Sequence, residues 1–66
     1  MIRFIRGEKA QLLKFEAWVK ENCQASSARE GAEPSTYIFS IRDEDPNGKA
    51  DLIAAQITFT PDLTGF

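Results

Sequence analysis

One segment of this sequence has the spacing of a helix, and it limits how the rest of the chain can fold. Between Glu8 and about Cys23, apolar residues recur at three- and four-residue intervals and so lie on one stripe: Leu12, Phe15, Val19 and Cys23. Good helix formers dominate the segment, and no glycine or proline interrupts it. We therefore predict an amphipathic helix, and the flanking segments must supply the surface on which it packs.

The opening residues MIRFIR have the two-residue alternation of a strand. Ile2 and Phe4 point to one side, Arg3 and Ile5 point to the other, and Gly7 ends the pattern. This alternation predicts a short, half-buried first strand.

Two later segments also alternate. Residues 36–42 and 52–60 each place their large apolar residues on one face, and Pro61 ends the second segment. Residues 24–36 contain no large apolar residue and predict an exposed loop, and residues 61–66 predict a tail.

The acidic loop DEDPNGKAD, residues 43–51, matches two different patterns. A calcium loop needs oxygen-bearing side chains, a glycine at position six and a glutamate at position twelve. The residues that match it are Asp43, Asp45, Asn47, Gly48 and Asp51. Position twelve, however, is Ala54. DPNG also fits a three-residue turn with a left-handed glycine, so we predict a hairpin joining residues 36–42 to 52–60.

These elements predict a single α+β domain spanning residues 1–66, with one amphipathic helix on a three-stranded, mostly antiparallel sheet in the chain order βαββ. A right-handed crossover from the first to the second strand leaves room for the third strand between them. The expected spatial order is therefore 1-3-2, and the alternative is that the first strand flanks the second.

The composition leaves little room for catalysis. The chain has no histidine and one cysteine, Cys23, so it lacks an internal disulfide, a Cys/His zinc site and an imidazole base. Cys23 is expected to be a small core residue. A chain of this length buries only roughly 60% of its unfolded surface and has little space for a cleft. We expect no enzymatic activity, cofactor or metal, and without a signal peptide or membrane-length apolar run we expect a cytoplasmic protein.

Charge is distributed unevenly along the chain, whose formal net charge is −2. Residues 1–21 hold five basic and three acidic groups, and residues 22–66 hold three basic and seven acidic groups, which gives +2 against −4. The scattered basic residues indicate no direct nucleic-acid binding. The acidic residues expected to contact a partner are Glu30, Glu33, Asp43, Glu44, Asp45 and Asp51.

A second expected contact surface is the side of the sheet that one helix leaves uncovered. In the predicted hairpin this side holds Ile38, Arg42, Leu52 and Ala54, joined by Arg3 and Ile5 of the first strand. A solvated sheet face normally alternates toward charged residues, so this weakly apolar face suggests a protein partner or a second copy of the chain.

We therefore expect a small, non-enzymatic protein-binding module. In size, acidity and absence of catalytic groups, the chain resembles the small proteins that phages and plasmids direct against host machinery, including anti-CRISPR proteins. This resemblance implies a stoichiometric inhibitor or regulator of a host complex that handles nucleic acid. The alternatives are a self-associating structural subunit that uses the open sheet face, such as a homodimer, and, more weakly, a calcium-binding loop at residues 43–51.

Overall fold

The computed structural model describes residues 1–66. Its elements in chain order are β1 (Ile2–Arg6), α1 (Lys9–Asn22), β2 (Ser26–Glu30), β3 (Thr36–Ile41) and α2 (Pro46–Phe59). The predicted α+β class and the three-stranded antiparallel sheet are confirmed. The chain begins in the expected order βαββ, but a second helix follows. The predicted strand at 52–60 is helical, and a strand forms inside the predicted loop at 24–36.

The helix predicted from apolar spacing is α1. Leu12, Phe15 and Val19 are buried on its stripe. The helix ends where Cys23 takes an extended backbone conformation, with its N–H donating to the Val19 carbonyl at 2.9 Å. Apolar spacing is sufficient to predict this helix, because the large residues of the stripe pack against the sheet.

The predicted strand at 52–60 is wrong, because these residues belong to α2. The Asp45 side chain accepts a hydrogen bond from the Asn47 backbone N–H at 2.9 Å, and Pro46 occupies the first turn. Aspartate followed by proline is a helix-start signal as well as a turn signal, since Asp caps the free N–H groups and Pro needs no donor there. The predicted hairpin is therefore absent.

Gly48 allows α2 to begin close to the end of β3. It is buried in the first turns of the helix, and a Cβ atom at this position would clash with the Arg42 carbonyl oxygen. Glycine is needed here for the close backbone approach rather than for a left-handed turn conformation.

The third strand of the sheet is β2, which lies inside the predicted loop at 24–36. It pairs antiparallel with β3, so that Ser26 lies opposite Ile41, Ala28 opposite Phe39, and Glu30 opposite Tyr37. Only Ala28 of β2 is buried. β2 forms because the central strand has a free edge to which it can hydrogen-bond. The side chains of SSARE are mostly polar and show no two-residue alternation, so the sequence did not predict a strand here.

The central strand is β3, which is the predicted second strand, and the spatial order is β1-β3-β2. The expected order, with residues 52–60 in the middle of the sheet, is therefore wrong, and the first strand flanks the second. β1 is antiparallel to β3, with Phe4 opposite Ile38, and β2 is also antiparallel to β3. Strands β1 and β2 therefore run parallel to each other, and α1 is the crossover between them. On the outer edge of β1, Arg6 and Thr64 form an isolated antiparallel bridge through two 2.9 Å backbone hydrogen bonds.

Both helices contribute to one core on a single side of the sheet. Phe15 lies at its centre, with edge-to-face ring contacts to Phe39 at 5.2 Å, Phe59 at 5.3 Å and Phe66 at 5.9 Å. Leu63 is also buried. Neither helix has the length and apolar character that crossing a membrane requires. This one-sided packing leaves the opposite side of the sheet without a covering element.

Candidate binding surface on the open side of the sheet

The side of the sheet away from the helices forms one continuous surface. Ile5 is fully buried, so its neighbours in β1 point the other way. The pairing of β1 and β2 with β3 then places on this side Ile2, Phe4, Arg6, Ser27, Arg29, Thr36, Ile38 and Ser40. We call this set the open sheet face.

The centre of the open sheet face is apolar. Phe4 is 55% exposed and Ile2 is 59% exposed, whereas Ile38 is partly buried between the two flanking strands. Phe4 and Ile38 are directly opposite each other in the β1–β3 pair. Side chains in that relation lie close enough to form a single contact area.

Arginines stand at the edge of this apolar centre. Arg29 lies opposite Ile38 on the β2 side, and Arg6 follows Phe4 by two residues along β1. Both are exposed. The ion pairs of the molecule are made by other groups: the Met1 ammonium with Asp43 at 3.1 Å, and Lys20 with Glu16 at 3.0 Å. Arg6 and Arg29 therefore have no carboxylate partner within the chain.

A shallow depression of about 300 Å³ lies at one end of the face. It lies between the strands and the β2–β3 connection, and its lining residues are Phe4, Arg6, Gly31, Ala32, Glu33, Thr36 and Ile38. Three of its lining residues are apolar, Phe4, Ala32 and Ile38, and the lining also includes a cation, Arg6, and a carboxylate, Glu33. A depression of this kind can take a side chain of a partner, since ligand sites combine apolar area with few polar groups.

The structure brings together only part of the expected sheet-face site. Ile38 lies on the open sheet face as predicted, and Arg42 is exposed just beyond the end of β3. Leu52 and Ala54 do not lie there, because they belong to α2. Leu52 packs against the core from the helix side, and Ala54 is exposed on the helix.

The first strand faces the opposite way from the prediction. Ile5 is in the core, and Arg3 is half-buried with its Nε atom unpartnered, whereas Ile2 and Phe4 are exposed. MIRFIR carries apolar residues on both sides, so alternation identifies a strand without identifying its buried side. Arg29 was missed because its segment has no strand pattern.

The expected acidic residues fall into two groups at opposite ends of the sheet. Glu30 and Glu33 are near the start of β3, where Glu30 lies opposite Tyr37. The remaining four follow the end of β3 or lie on α2: Asp43, Glu44, Asp45 and Asp51. They do not form one acidic surface.

Three acidic residues of the second group have internal contacts. Asp43 pairs with the Met1 ammonium, Asp45 caps α2, and Asp51 accepts a hydrogen bond from Ser26 Oγ at 3.1 Å. No three histidine, cysteine, aspartate or glutamate residues are grouped so that they could hold a metal ion. The calcium-loop geometry would need Asp51 in a loop, and the structure places it in a helix.

The shifted pKa values belong to groups on the helix side. Burial, followed by the charge and hydrogen bonding of Asp51, raises the pKa of the Cys23 thiol to about 11. Burial and the nearby Glu16 and Glu30 carboxylates raise the pKa of Tyr37. Cys23 is therefore a neutral thiol at ordinary pH. The groups with shifted pKa values do not belong to the open sheet face, which offers apolar and arginine side chains for contact.

Comparison with protein-family models, curated proteins and solved structures finds no match for this chain.

Proposed function

We propose that the protein is a non-enzymatic binding module whose open sheet face takes a protein segment of mixed acidic and apolar character. The observation that carries the proposal is the juxtaposition of exposed Phe4 and its cross-strand neighbour Ile38 with the unpaired Arg6 and Arg29. A module that acts by occupying a surface would inhibit or regulate its partner stoichiometrically.

The apolar centre supplies the favourable free energy of binding in this proposal. Removal of apolar surface from water contributes about 25 cal/mol per Å². Phe4 is a ring on a rigid strand, so little conformational entropy is lost when a partner covers it. Aromatic residues of this kind are common among the side chains that dominate binding.

The arginines supply the preference for acidic partners. A guanidinium group can donate two parallel hydrogen bonds to a carboxylate, and Arg6 and Arg29 have no such acceptor in the chain. Arg29 lies on the β2 side of the apolar centre, and Arg6 lies two residues along β1 from Phe4. A complementary segment would therefore carry acidic side chains next to an apolar one.

A protein segment fits the face better than nucleic acid does. Single-stranded nucleic acid is held by clustered cations and by several stacking rings. The open sheet face offers one ring, Phe4, and the depression at its end is also lined by the Glu33 carboxylate. Of the acidic residues expected to contact a partner, only Glu33 lines the depression at the end of this face.

A peptide selection tests the proposal directly. A library of random peptides displayed on phage is selected on the immobilised protein and counter-selected on the Phe4→Thr variant, which keeps strand propensity but removes the ring. We expect enriched peptides in which aspartate or glutamate flanks a large apolar residue. Their dissociation constants should rise at least about tenfold for Phe4→Thr and for Arg29→Glu.

Leu13→Gln is the matched control, because Leu13 on α1 is 51% exposed, close to the 55% of Phe4. It should bind the selected peptides as the unchanged protein does. Three outcomes would refute the proposal: no enrichment, equal loss of binding in Leu13→Gln and Phe4→Thr, or tighter binding of a polyuridine oligonucleotide than of any peptide.

A further inference from the structure

The outward side of α2 is an unusual surface for a helix in contact with water. The core-facing residues of this helix are Gly48, Leu52, Ala55 and Phe59. On the opposite side, helical spacing aligns Pro46, Ala50, Ile53, Ala54 and Ile57, and all five are exposed. We call this set the α2 stripe.

The α2 stripe contains no charged residue. Ile53 is 58% exposed and Ile57 is 75% exposed, the largest exposed fraction among the large apolar residues of the protein. A surface helix normally places charged and polar residues opposite its buried side, and a helix that is apolar all round is normally covered. The two isoleucines are one turn apart, so they form one continuous ridge.

We propose that a second copy of this chain covers the stripe, with the two α2 helices packed antiparallel about a twofold axis. In this arrangement Ile53 of each copy lies against Ile57 of the other. Ala50 and Ala54 have small side chains, which allows the helices to approach closely. A twofold contact of this type is self-complementary, so a single apolar ridge serves both copies.

Charge complementarity favours a second copy as the occupant. Lys49 flanks the stripe near the start of α2, and Asp62 follows the end of the helix; both are exposed and neither forms an ion pair within the chain. In the antiparallel arrangement, Lys49 of one copy lies beside the end of the other copy's α2. There it meets Asp62 and the negative end of the helix dipole.

The α2 stripe and the open sheet face are separate surfaces. Because α2 packs on the helix side of the sheet, a dimer formed through α2 leaves both open sheet faces uncovered. Such a dimer would present two copies of the proposed binding surface, and a bivalent partner would bind it with increased overall affinity.

Sedimentation velocity across micromolar to millimolar concentrations tests the dimer. The unchanged protein should move from a 7.4 kDa monomer to twice that mass as its concentration rises. Ile57→Lys should raise the dissociation constant of the dimer at least about tenfold, because it places a charge in the contact. Phe4→Thr should dimerise normally, which separates this inference from the function proposed for the open sheet face.

A charge exchange distinguishes the antiparallel arrangement from other contacts. Lys49→Glu and Asp62→Lys should each weaken the dimer, and the double variant should restore it. The far-ultraviolet circular dichroism of each variant checks that the helices remain. A monomer at every concentration, a dimer unaffected by Ile57→Lys, or a double variant weaker than both single variants would overturn the proposal.

Discussion

Asp51 connects three parts of the molecule through short-range contacts. Its carboxylate accepts a hydrogen bond from Ser26 at the start of β2, and it lies near the Cys23 thiol at the end of α1. From the sequence, Asp51 was expected to face a partner or to fill position nine of a calcium loop. Its observed contacts are internal, and a test of those contacts is available through the cysteine.

The pKa of Cys23 provides that test. Burial and Asp51 raise it from 9.0 to about 11, so alkylation by iodoacetamide should reach its half-maximal rate near pH 11. Asp51→Asn should lower the midpoint, although burial should keep it above 9.0. Glu21→Gln is the control, because Glu21 is not among the groups that raise this pKa. An unchanged midpoint in Asp51→Asn would contradict the contact.

The same shift has a defined effect on stability. Because the folded thiol holds its proton more tightly than the unfolded thiol does, the contribution of Cys23 to the free energy of unfolding is intact below about pH 9. It is lost as the pH rises from about 9 to about 11. Urea unfolding of a Cys23→Ala variant should lack this part of the alkaline loss.

At the scale of the elements, α1 could be predicted from the sequence and α2 could not. In α1 the buried stripe is made of the large residues Leu12, Phe15 and Val19, and Leu13 is the large apolar residue left exposed. In α2 the core-facing stripe includes Gly48 and Ala55, while the large residues Ile53 and Ile57 face outward. The two-residue alternation of Ile53, Ala55, Ile57 and Phe59 therefore imitated a strand, although Leu52, Ala55 and Phe59 have helical spacing.

The cap of α2 gives a prediction at this scale. Asp45→Ala removes the side-chain acceptor of the Asn47 N–H and should lower the free energy of unfolding by about 1 kcal/mol, measured by urea denaturation. Asp45→Asn should retain most of the stability, since an amide oxygen also caps. Glu44→Ala, at the preceding exposed carboxylate, should have little effect. Equal losses for Asp45→Ala and Glu44→Ala would show that the cap is not responsible.

β2 marks the limit of local sequence information. SSARE has only one residue that the fold buries, Ala28, so its conformation depends on pairing with β3. This dependence explains why Arg29, which flanks the apolar centre of the open sheet face, could not be placed from the sequence. Ile38 could be placed, because β3 alternates strongly enough to identify the strand by itself.

At the scale of the whole molecule, the main result is the one-sided arrangement of two helices on a three-stranded sheet. The sequence predicted an uncovered sheet face with apolar character, and such a face exists. The residues of this face differ from the predicted ones for two reasons. β1 directs Ile2 and Phe4, rather than Arg3 and Ile5, away from the helices, and α2 replaces the strand expected at 52–60. The second helix adds a further apolar surface on the other side, so the molecule has two separate areas suited to contacts.

Solvent accessibility measured by NMR with a soluble paramagnetic agent is the most direct test of the open sheet face as a binding surface. In the free protein, the ring protons of Phe4 should relax strongly, and those of Phe39 should not, since Phe39 is fully buried. Addition of a selected acidic peptide should protect Phe4 and Ile38 while Leu13 stays exposed. Strong relaxation of Phe39 in the free protein, or peptide protection of Leu13 in place of Phe4, would contradict the account.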